Sequence, residues 1–409
     1  MKLFVLALAA SLLAAQPPAD PKAEGLARKA KGDAAGALAA FERALAANPN
    51  DPALLDETGF LLAVLGRHAE AIPRFQQALQ LNPRYAPAHY HLGIALRLRN
   101  DLPAAISSLR DAAKLDPRNA EYRFRLASML SESGDDSAAL TAAGSGDTRA
   151  DLWNLIGLLH QRKGDLKSAR DAYQKAVNLK PTDNEYRNNL GFMLVDLGMA
   201  QQGLAQFQQI LKQDPSNRLA QINIGYTYLQ SGEYDAALKH FQRLATQHPD
   251  QAVIHYDMAL AWKQLDKLDE AKKSFREALR IDPDMVEAYY TLGITCWQNG
   301  DLDETADAMR AAIARRPNYA EAHYMLGTAL KQKGALAEAA TALLEAIRLS
   351  PDSPGPFNTL AQIRQQQGDR EAAKALFAQA AEVKKKLDAS QADRLRPMGP
   401  ATRTATPKR

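Results

Sequence analysis

The sequence predicts an all-α solenoid built from about eleven stacked pairs of antiparallel helices. Three observations support this fold class: prolines recur every 34 residues within each of two runs, small residues recur at fixed places between them, and aromatic residues make up only 7% of the chain. A fixed period of this length is typical of repeat architectures, in which each unit contacts only its neighbours. The abundance of alanine, leucine, glutamine and charged residues favours helices over strands, so a parallel sheet is not expected.

Residues 1–16 differ from the rest of the chain. Lys2 supplies a positive start, Leu3 to Leu13 form an apolar run, and small residues precede Gln16. This pattern predicts a secretory signal peptide. A retained membrane anchor is the alternative, but the run is shorter than the roughly 20 apolar residues that span a bilayer. We therefore expect an exported protein, periplasmic, envelope-associated or secreted, with no integral membrane span after signal removal.

The repeat register follows from the prolines, which we place at repeat position 32. They are Pro49, Pro83, Pro117, Pro181, Pro215, Pro249, Pro283, Pro317 and Pro351. In this register position 8 is glycine or alanine in every unit: Gly25, Gly59, Gly93, Ala127, Gly157, Gly191, Gly225, Ala259, Gly293, Gly327 and Ala361. Position 20 is also mostly small. Small residues at fixed places in two successive helices allow the helices to cross closely.

Each unit also needs a turn between its helices and a stop at its end. Pairs such as Gly32-Asp33 and Gly300-Asp301 provide a helix C-terminus followed by an N-cap. The proline at position 32 ends the second helix. Large side chains at position 24 are predicted to pack around the small residues; they include Phe41, Phe75, Phe207, Phe241, Phe275 and Phe377.

The small residues at positions 8 and 20, the aromatic residue at position 24, an alanine at position 27 and the proline at position 32 together resemble the tetratricopeptide repeat. The position-27 alanines are Ala78, Ala112, Ala176, Ala278 and Ala346. The resemblance extends over residues 18–387. It implies a right-handed superhelix of antiparallel helix pairs whose concave groove binds protein segments.

One unit departs from the pattern. Residues 120–149 keep Ala127, Gly134 and Ala139 in register, then lose four residues and the terminal proline. The second helix of this unit is predicted to be short. We expect a bend or hinge that divides the array into residues 17–149 and 150–387, since glycine is conformationally permissive. The alternative is an undisturbed superhelix with a clipped corner.

Charge is concentrated at the C-terminus. The whole chain has a formal net charge of +4, of which residues 384–409 contribute +6, so the preceding residues sum to −2. A nucleic-acid groove would need clustered Lys and Arg along the array, so nucleic-acid binding is not expected. Residues 388–409 contain few apolar residues and several prolines, and are predicted to be a disordered basic tail.

The sequence offers no catalytic or metal-binding motif, and we predict no enzyme activity, cofactor or metal site. Two-helix units account for nearly all residues, and no phosphate-binding loop, nucleophile elbow or paired-cysteine motif occurs. His89 and His91 are two residues apart on a helix and point in different directions. Cys296 falls where the repeat requires a buried apolar residue, so we expect a small core hydrophobe rather than a reactive thiol.

A binding surface is more promising. Positions 5, 9 and 12 of each first helix form one stripe, about 100° around the helix from the packing positions. We call this the groove stripe, because the resemblance places it in the concave groove. Asparagine amides can bond an extended peptide backbone, while tyrosine and tryptophan offer apolar area with a polar group. The predicted partner-binding residues are Asn154, Asn188, Asn189, Phe192, Asn223, Tyr226, Tyr256, Lys263, Tyr290, Trp297, Tyr324 and Lys331.

The predicted function is a protein-interaction scaffold or adaptor of the cell envelope or periplasm that binds proteins or extended peptides. One alternative is a detached substrate-recognition arm that works with a separate enzyme such as a glycosyltransferase, which Asn189 and Asn223 at one repeat position would suit. A second alternative is a structural, self-associating rod. Ala375, Phe377 and Ala380 followed by three lysines indicate a final helix whose end is polar, so a monomer is favoured.

Overall fold

The computed structural model describes residues 20–144 and 148–395, and the regular elements in these ranges are all helices. The predicted signal peptide at residues 1–16 lies outside the described residues. In chain order the helices are α1 (Pro21–Ala30), α2 (Ala34–Ala47), α3 (Pro52–Val64), α4 (His68–Leu81), α5 (Ala86–Leu98), α6 (Leu102–Leu115), α7 (Ala120–Glu132), α8 (Asp136–Ala143), α9 (Ala150–Arg162), α10 (Leu166–Leu179), α11 (Asn184–Asp196), α12 (Ala200–Gln213), α13 (Arg218–Gln230), α14 (Tyr234–Gln247), α15 (Ala252–Gln264), α16 (Leu268–Ile281), α17 (Val286–Gln298), α18 (Leu302–Arg315), α19 (Ala320–Gln332), α20 (Leu336–Leu349), α21 (Pro354–Gln366) and α22 (Arg370–Leu395).

The helix bounds follow the predicted register. In a regular unit the first helix occupies repeat positions 1–13 and the second helix positions 17–30, as in α3 with α4 and α17 with α18. Within the described residues, only the first, the shortened and the last units deviate from these bounds. The prediction of an all-α solenoid of helix pairs is therefore confirmed.

The turn inside each unit has the chemistry that the sequence indicates. Gly32 adopts a φ of 77°, in the left-handed region that glycine tolerates, and the Asp33 side chain then accepts a hydrogen bond from the Gly36 amide at 2.8 Å. Where the glycine is missing at this place, Asn100 and Asp266 take the left-handed conformation with φ values of 61° and 56°. Asn and Asp are the residues that tolerate it best after glycine.

The small residues at position 8 lie directly against the large residues at position 24. A Cβ atom added to Gly157 would be 2.6 Å from the Tyr173 ring, and one added to Gly59 would be 2.7 Å from the Phe75 ring. Both rings are fully buried. Close helix crossing thus depends on a small residue at position 8, glycine or alanine, as the sequence predicts. Phe377, in the last unit, is the exception at position 24 and remains 38% exposed.

The chain forms two compact units, one ending at Leu197 and the other beginning at Gly198. In the first unit α3 contacts α5 and α7 contacts α9; in the second, α13 contacts α15 and α17 contacts α19. Successive first helices therefore touch each other directly, while each second helix packs chiefly between the flanking first helices. The groove stripe lies on these adjoining first helices.

The unit at residues 120–149 has the short second helix that the sequence predicts. Helix α8 contains eight residues and is followed by the C-cap residue Gly144, whose φ is 65°. The Arg123 guanidinium donates a hydrogen bond to the Ala143 carbonyl at 3.1 Å, so a side chain satisfies one of the carbonyl groups at the helix end. The hinge itself stays a prediction, and residues 145–147 lie outside the described residues.

The C-terminal boundary needs a correction. The predicted tail began at residue 388, but α22 continues to Leu395, so residues 388–395 are helical. Ala389, Gln391 and Ala392 are good helix formers, and no proline interrupts the chain before Pro397. Low apolar content therefore did not prevent helix formation here. Residues 396–409 lie outside the described residues.

Candidate protein-binding groove

The predicted partner-binding residues are divided between the two compact units. The first unit holds Asn154, Asn188, Asn189 and Phe192, and the second holds Asn223, Tyr226, Tyr256, Lys263, Tyr290, Trp297, Tyr324 and Lys331. Eleven of the twelve side chains are partly exposed, whereas Asn223 is buried. Each unit therefore presents its own section of the groove stripe.

Asparagines in the first unit bond to each other. The Asn189 amide donates a hydrogen bond to the Asn154 side-chain oxygen at 2.9 Å, and the Asn154 amide approaches Glu185 at 3.4 Å. Part of the hydrogen-bonding capacity of these amides is therefore used within the array. The remaining donors and acceptors are the ones that a guest could reach.

The Asn154–Asn189 bond is one case of a recurring contact, which we call a rung: position 5 of one repeat bonds to position 6 of the next. Asp56 and His91 form a rung at 2.8 Å, and Tyr256 and Thr291 form another at 3.4 Å. Sequence reasoning missed the rungs because the partners are 35 residues apart. A signal was present, since polar residues often occupy both positions in consecutive repeats.

Asp257 is a buried residue that has no partner across a rung. It occupies position 6 of its repeat. Its partner across a rung would be position 5 of the preceding repeat, but that residue is Ile222, whose side chain has no polar atom. Asp257 is only 7% exposed, and no hydrogen bond or ion pair joins it to the described residues. Burial alone raises the pKa of Asp257 to about 7. Asp56, by contrast, is 3% exposed and is bonded to His91.

Packed tyrosines dominate the stripe of the second unit. Tyr256 meets Phe275 edge-on with ring centroids 5.6 Å apart, and Tyr290 lies 4.9 Å from the Tyr319 ring. Burial raises the pKa of both Tyr256 and Tyr290, so their hydroxyls stay neutral donors. Ring packing fixes the orientation of these side chains while part of each remains accessible.

The basic side chains of this stripe are spaced apart. Lys263 and Lys331 both occupy position 12 and are partly exposed. Lys331 donates a hydrogen bond to the Gln362 side chain of the following repeat. A pair of lysines two repeats apart differs from a basic cluster that would grip a carboxylate.

A small apolar cavity in the first unit was not predicted. Its volume is about 240 Å³, and its lining includes Phe60, Tyr90, His91, Val64 and Leu98. Val64 and Leu98 are 57% and 58% exposed. Their place, position 13, is glutamine in every repeat of the second unit: Gln230, Gln264, Gln298, Gln332 and Gln366. That contrast is the sequence signal that could have revealed the cavity.

A larger depression lies on the opposite, second-helix side of the second unit. Its volume is about 830 Å³, and Ile313, Leu326 and Leu344 contribute apolar lining between Arg310 and Arg348. It is formed mainly by α18, α19 and α20 and does not include the groove stripe.

Other chemistry-bearing residues have structural roles. Cys296 is fully buried, and burial raises the pKa of its thiol to about 12, which confirms the predicted core position. His89 and His323, both at position 4, bond through Nε2 to the carbonyls of Pro83 and Pro317 at 2.9 and 3.0 Å. Within residues 20–144 and 148–395, no cluster of three His, Cys, Asp or Glu residues could hold a metal ion.

Comparison with protein families gives matches along the chain. One tetratricopeptide repeat model matches residues 22–72, 57–117, 99–147, 256–319 and 297–354, a second matches residues 147–283, and a third matches residues 356–387. The chain belongs to the tetratricopeptide repeat family. A search of curated proteins gives no match.

Several solved structures of tetratricopeptide repeat proteins are similar to this one. A tetratricopeptide repeat protein from Parabacteroides merdae is 17% identical, with a TM-score of 0.55, and the match covers 60% of this chain and 98% of that one. MamA from Desulfovibrio magneticus is 22% identical, with a TM-score of 0.34 and coverages of 43% and 99%. Yeast Tom70 is 15% identical, with a TM-score of 0.38 and coverages of 91% and 94%. The similarity to the Parabacteroides structure supports the fold.

Family and fold together identify a protein-interaction scaffold in general terms, of a type that is typically non-enzymatic. Tetratricopeptide repeat proteins bind protein partners. Among the helices described, none is both long enough and apolar enough to cross a membrane.

Proposed function

We propose that this tetratricopeptide repeat protein is an exported scaffold of the cell envelope that binds extended segments of partner proteins along the groove stripe of its second unit. The observation that carries the proposal is the row of partly exposed tyrosines at position 5 of three successive repeats, Tyr256, Tyr290 and Tyr324, with Trp297 at position 12.

Aromatic side chains suit this task for two physical reasons. They bury a large area on binding and present one polar atom. They also lose little side-chain entropy if they are already held in place. The contacts of Tyr256 with Phe275 and of Tyr290 with Tyr319 provide that preorganisation.

Glutamines border this row. Gln264, Gln298 and Gln332 follow each other at position 13 and are exposed. Each side-chain amide can donate to and accept from the backbone of an extended peptide, without requiring a particular guest side chain. A guest would therefore gain apolar contact from the tyrosines and backbone hydrogen bonds from the glutamines.

The envelope location is proposed from the N-terminal pattern alone. Lys2, the apolar run from Leu3 to Leu13 and the small residues before Gln16 are typical of a signal peptide. Export can be tested by expressing the full chain with a C-terminal tag in the native organism and measuring its intact mass and its fraction. Loss of about the first 16 residues supports export, whereas an unprocessed cytoplasmic protein contradicts it.

Binding is tested by affinity capture from the envelope fraction of the native organism. Mature wild-type protein is compared with a groove variant, Tyr290→Ala with Trp297→Ala, and with a control, Gln242→Ala with Lys273→Ala, whose residues are exposed on second helices. A partner retained by wild type and control but lost by the groove variant supports the proposal. Retention by all three proteins, or by none, contradicts it. Circular dichroism checks that each variant is folded.

A further inference from the structure

Asp257 is a buried carboxyl group in the groove stripe region, and the preceding repeat offers it no polar side chain across a rung. Asp257 is 7% exposed, no hydrogen bond or ion pair joins its side chain to another of the described residues, and burial raises its pKa. Burying a carboxylate without a partner is costly, and proteins normally pair such groups. An uncompensated charge of this kind calls for a ligand of opposite sign.

Comparison between rungs shows what is missing. Asp56, the other buried aspartate on a first helix, bonds to His91 at 2.8 Å across a rung. The residue that lies across from Asp257, at position 5 of the preceding repeat, is Ile222. The next rung along the array joins Tyr256 to Thr291 and does not involve Asp257. Asp56 therefore has a hydrogen-bonding partner across its rung, and Asp257 has none.

Repeat equivalence locates Asp257 on the binding side. The same position in the first unit is His91, which lines the 240 Å³ cavity and lies 5.2 Å from the Phe60 ring. Tyr226 occupies the place of Phe60 in the second unit. The charge of Asp257 also contributes to the raised pKa of its neighbour Tyr256, which places the carboxyl close to the tyrosine row.

We propose that Asp257 is the charged anchor of the groove in the second unit and binds an arginine or lysine side chain of the extended partner segment. This inference rests on the proposed function. Because Asp257 is only 7% exposed, a partner needs a long side chain to reach its carboxylate, which arginine and lysine have. Neighbouring tyrosine rings favour a cation as well. Acidic segments are excluded by repulsion between like charges.

The test uses a phage-displayed library of random 12-residue peptides, selected on the mature wild-type protein. Selected sequences are synthesised with acetylated N-termini, so that a terminal ammonium group cannot replace the side chain. Affinities are measured for wild type, for Asp257→Asn, and for the control Asp250→Asn, which removes one negative charge from an exposed turn.

We expect arginine or lysine at one fixed place in the selected peptides. Asp257→Asn should weaken their binding tenfold or more, and Asp250→Asn should leave it unchanged. Replacing the peptide arginine by citrulline, which is neutral and of similar shape, should cause the same loss with wild type and no further loss with Asp257→Asn. This non-additivity identifies a direct pair.

Two results would overturn the inference in distinguishable ways. Peptides that lack a basic residue, bind Asp257→Asn as well as wild type and are lost with Tyr290→Ala plus Trp297→Ala would support the proposed groove but remove the anchor. A library that yields no peptide sensitive to the groove variant would contradict both proposals. Thermal unfolding of Asp257→Asn, an isosteric change, checks that any loss is not due to misfolding.

Discussion

Asp257 and Asp56 are two buried carboxyl groups that differ in the side chain lying across the rung. Both are nearly inaccessible, but His91 bonds to Asp56 while Ile222 gives Asp257 nothing to bond. Burial raises the pKa of Asp257 to about 7. A buried carboxyl group of this kind lowers the free energy of unfolding of the protein without its partner, by an amount that depends on pH.

We predict that Asp257→Asn stabilises the protein above pH 7. The folded-state pKa of about 7 lies above the unfolded value near 4, so the folded state binds more protons between these values and stability falls as pH rises through that window. At pH 8 the variant should be more stable by roughly 2 to 4 kcal/mol, and at pH 4 the difference should nearly vanish. Urea unfolding of both proteins at the two pH values measures this. A difference in the free energy of unfolding that is the same at both pH values would show that the pKa of Asp257 is not raised in the folded protein.

A second residue-scale prediction concerns the close helix crossing at Gly293. A Cβ atom there would be 2.5 Å from Met309 Cε and 3.3 Å from the Ala308 side chain. Gly293→Leu should cost about 1 to 3 kcal/mol because it overpacks this contact. Gln298→Leu, on the exposed side of the same helix, is the matched control and should change stability little. Equal unfolding midpoints for Gly293→Leu and wild type would refute the register.

At the scale of elements, the sequence predicts regular helices well because each boundary has a local cause. Position 15 takes a left-handed residue, position 16 is often a capping aspartate, and position 32 is proline, so the bounds at positions 1–13 and 17–30 recur. The same reasoning misplaced the end of α22, where composition indicated disorder but residues 388–395 continue the helix. Local signals thus set helix ends more reliably than average polarity.

The candidate site was predictable only in part. Position along the helix identifies which side chains share the stripe, so Tyr256, Tyr290 and Tyr324 could be grouped from the sequence alone. The Asp56–His91 and Asn154–Asn189 rungs could not, because they depend on how neighbouring repeats approach each other. For the same reason the buried state of Asp257 became apparent only in the structure.

Helix α8 carries the element-scale prediction. It has eight residues and buries only Ala139 and Ala143, whereas α10 has fourteen residues and buries five. Short helices with few packed residues open more readily. Amide hydrogen exchange should be at least about tenfold faster in α8 than in α10. Equal protection in the two helices would argue for an undisturbed array with a clipped corner rather than a hinge.

At the scale of the whole molecule, the ends of the array decide whether it associates with itself. Helix α22 buries Ala373 and Ala380, while most of its other described side chains are exposed, among them Lys384, Lys385 and Lys386. A polar outer face on the terminal helix is what a capped array requires. Light scattering should therefore give the monomer mass at every concentration from micromolar to hundreds of micromolar. A mass that rises with concentration would favour the self-associating rod.

We propose that partner proteins bind along the tyrosine row of the second unit. The most direct measurement is photo-crosslinking in the native organism, with p-benzoylphenylalanine in place of Tyr290 in one variant and in place of Gln242, on the second-helix face, in another. If partners bind along this row, a discrete adduct with an envelope protein forms from position 290 and not from position 242. Adducts from position 242 alone, or from neither position, would contradict the proposal.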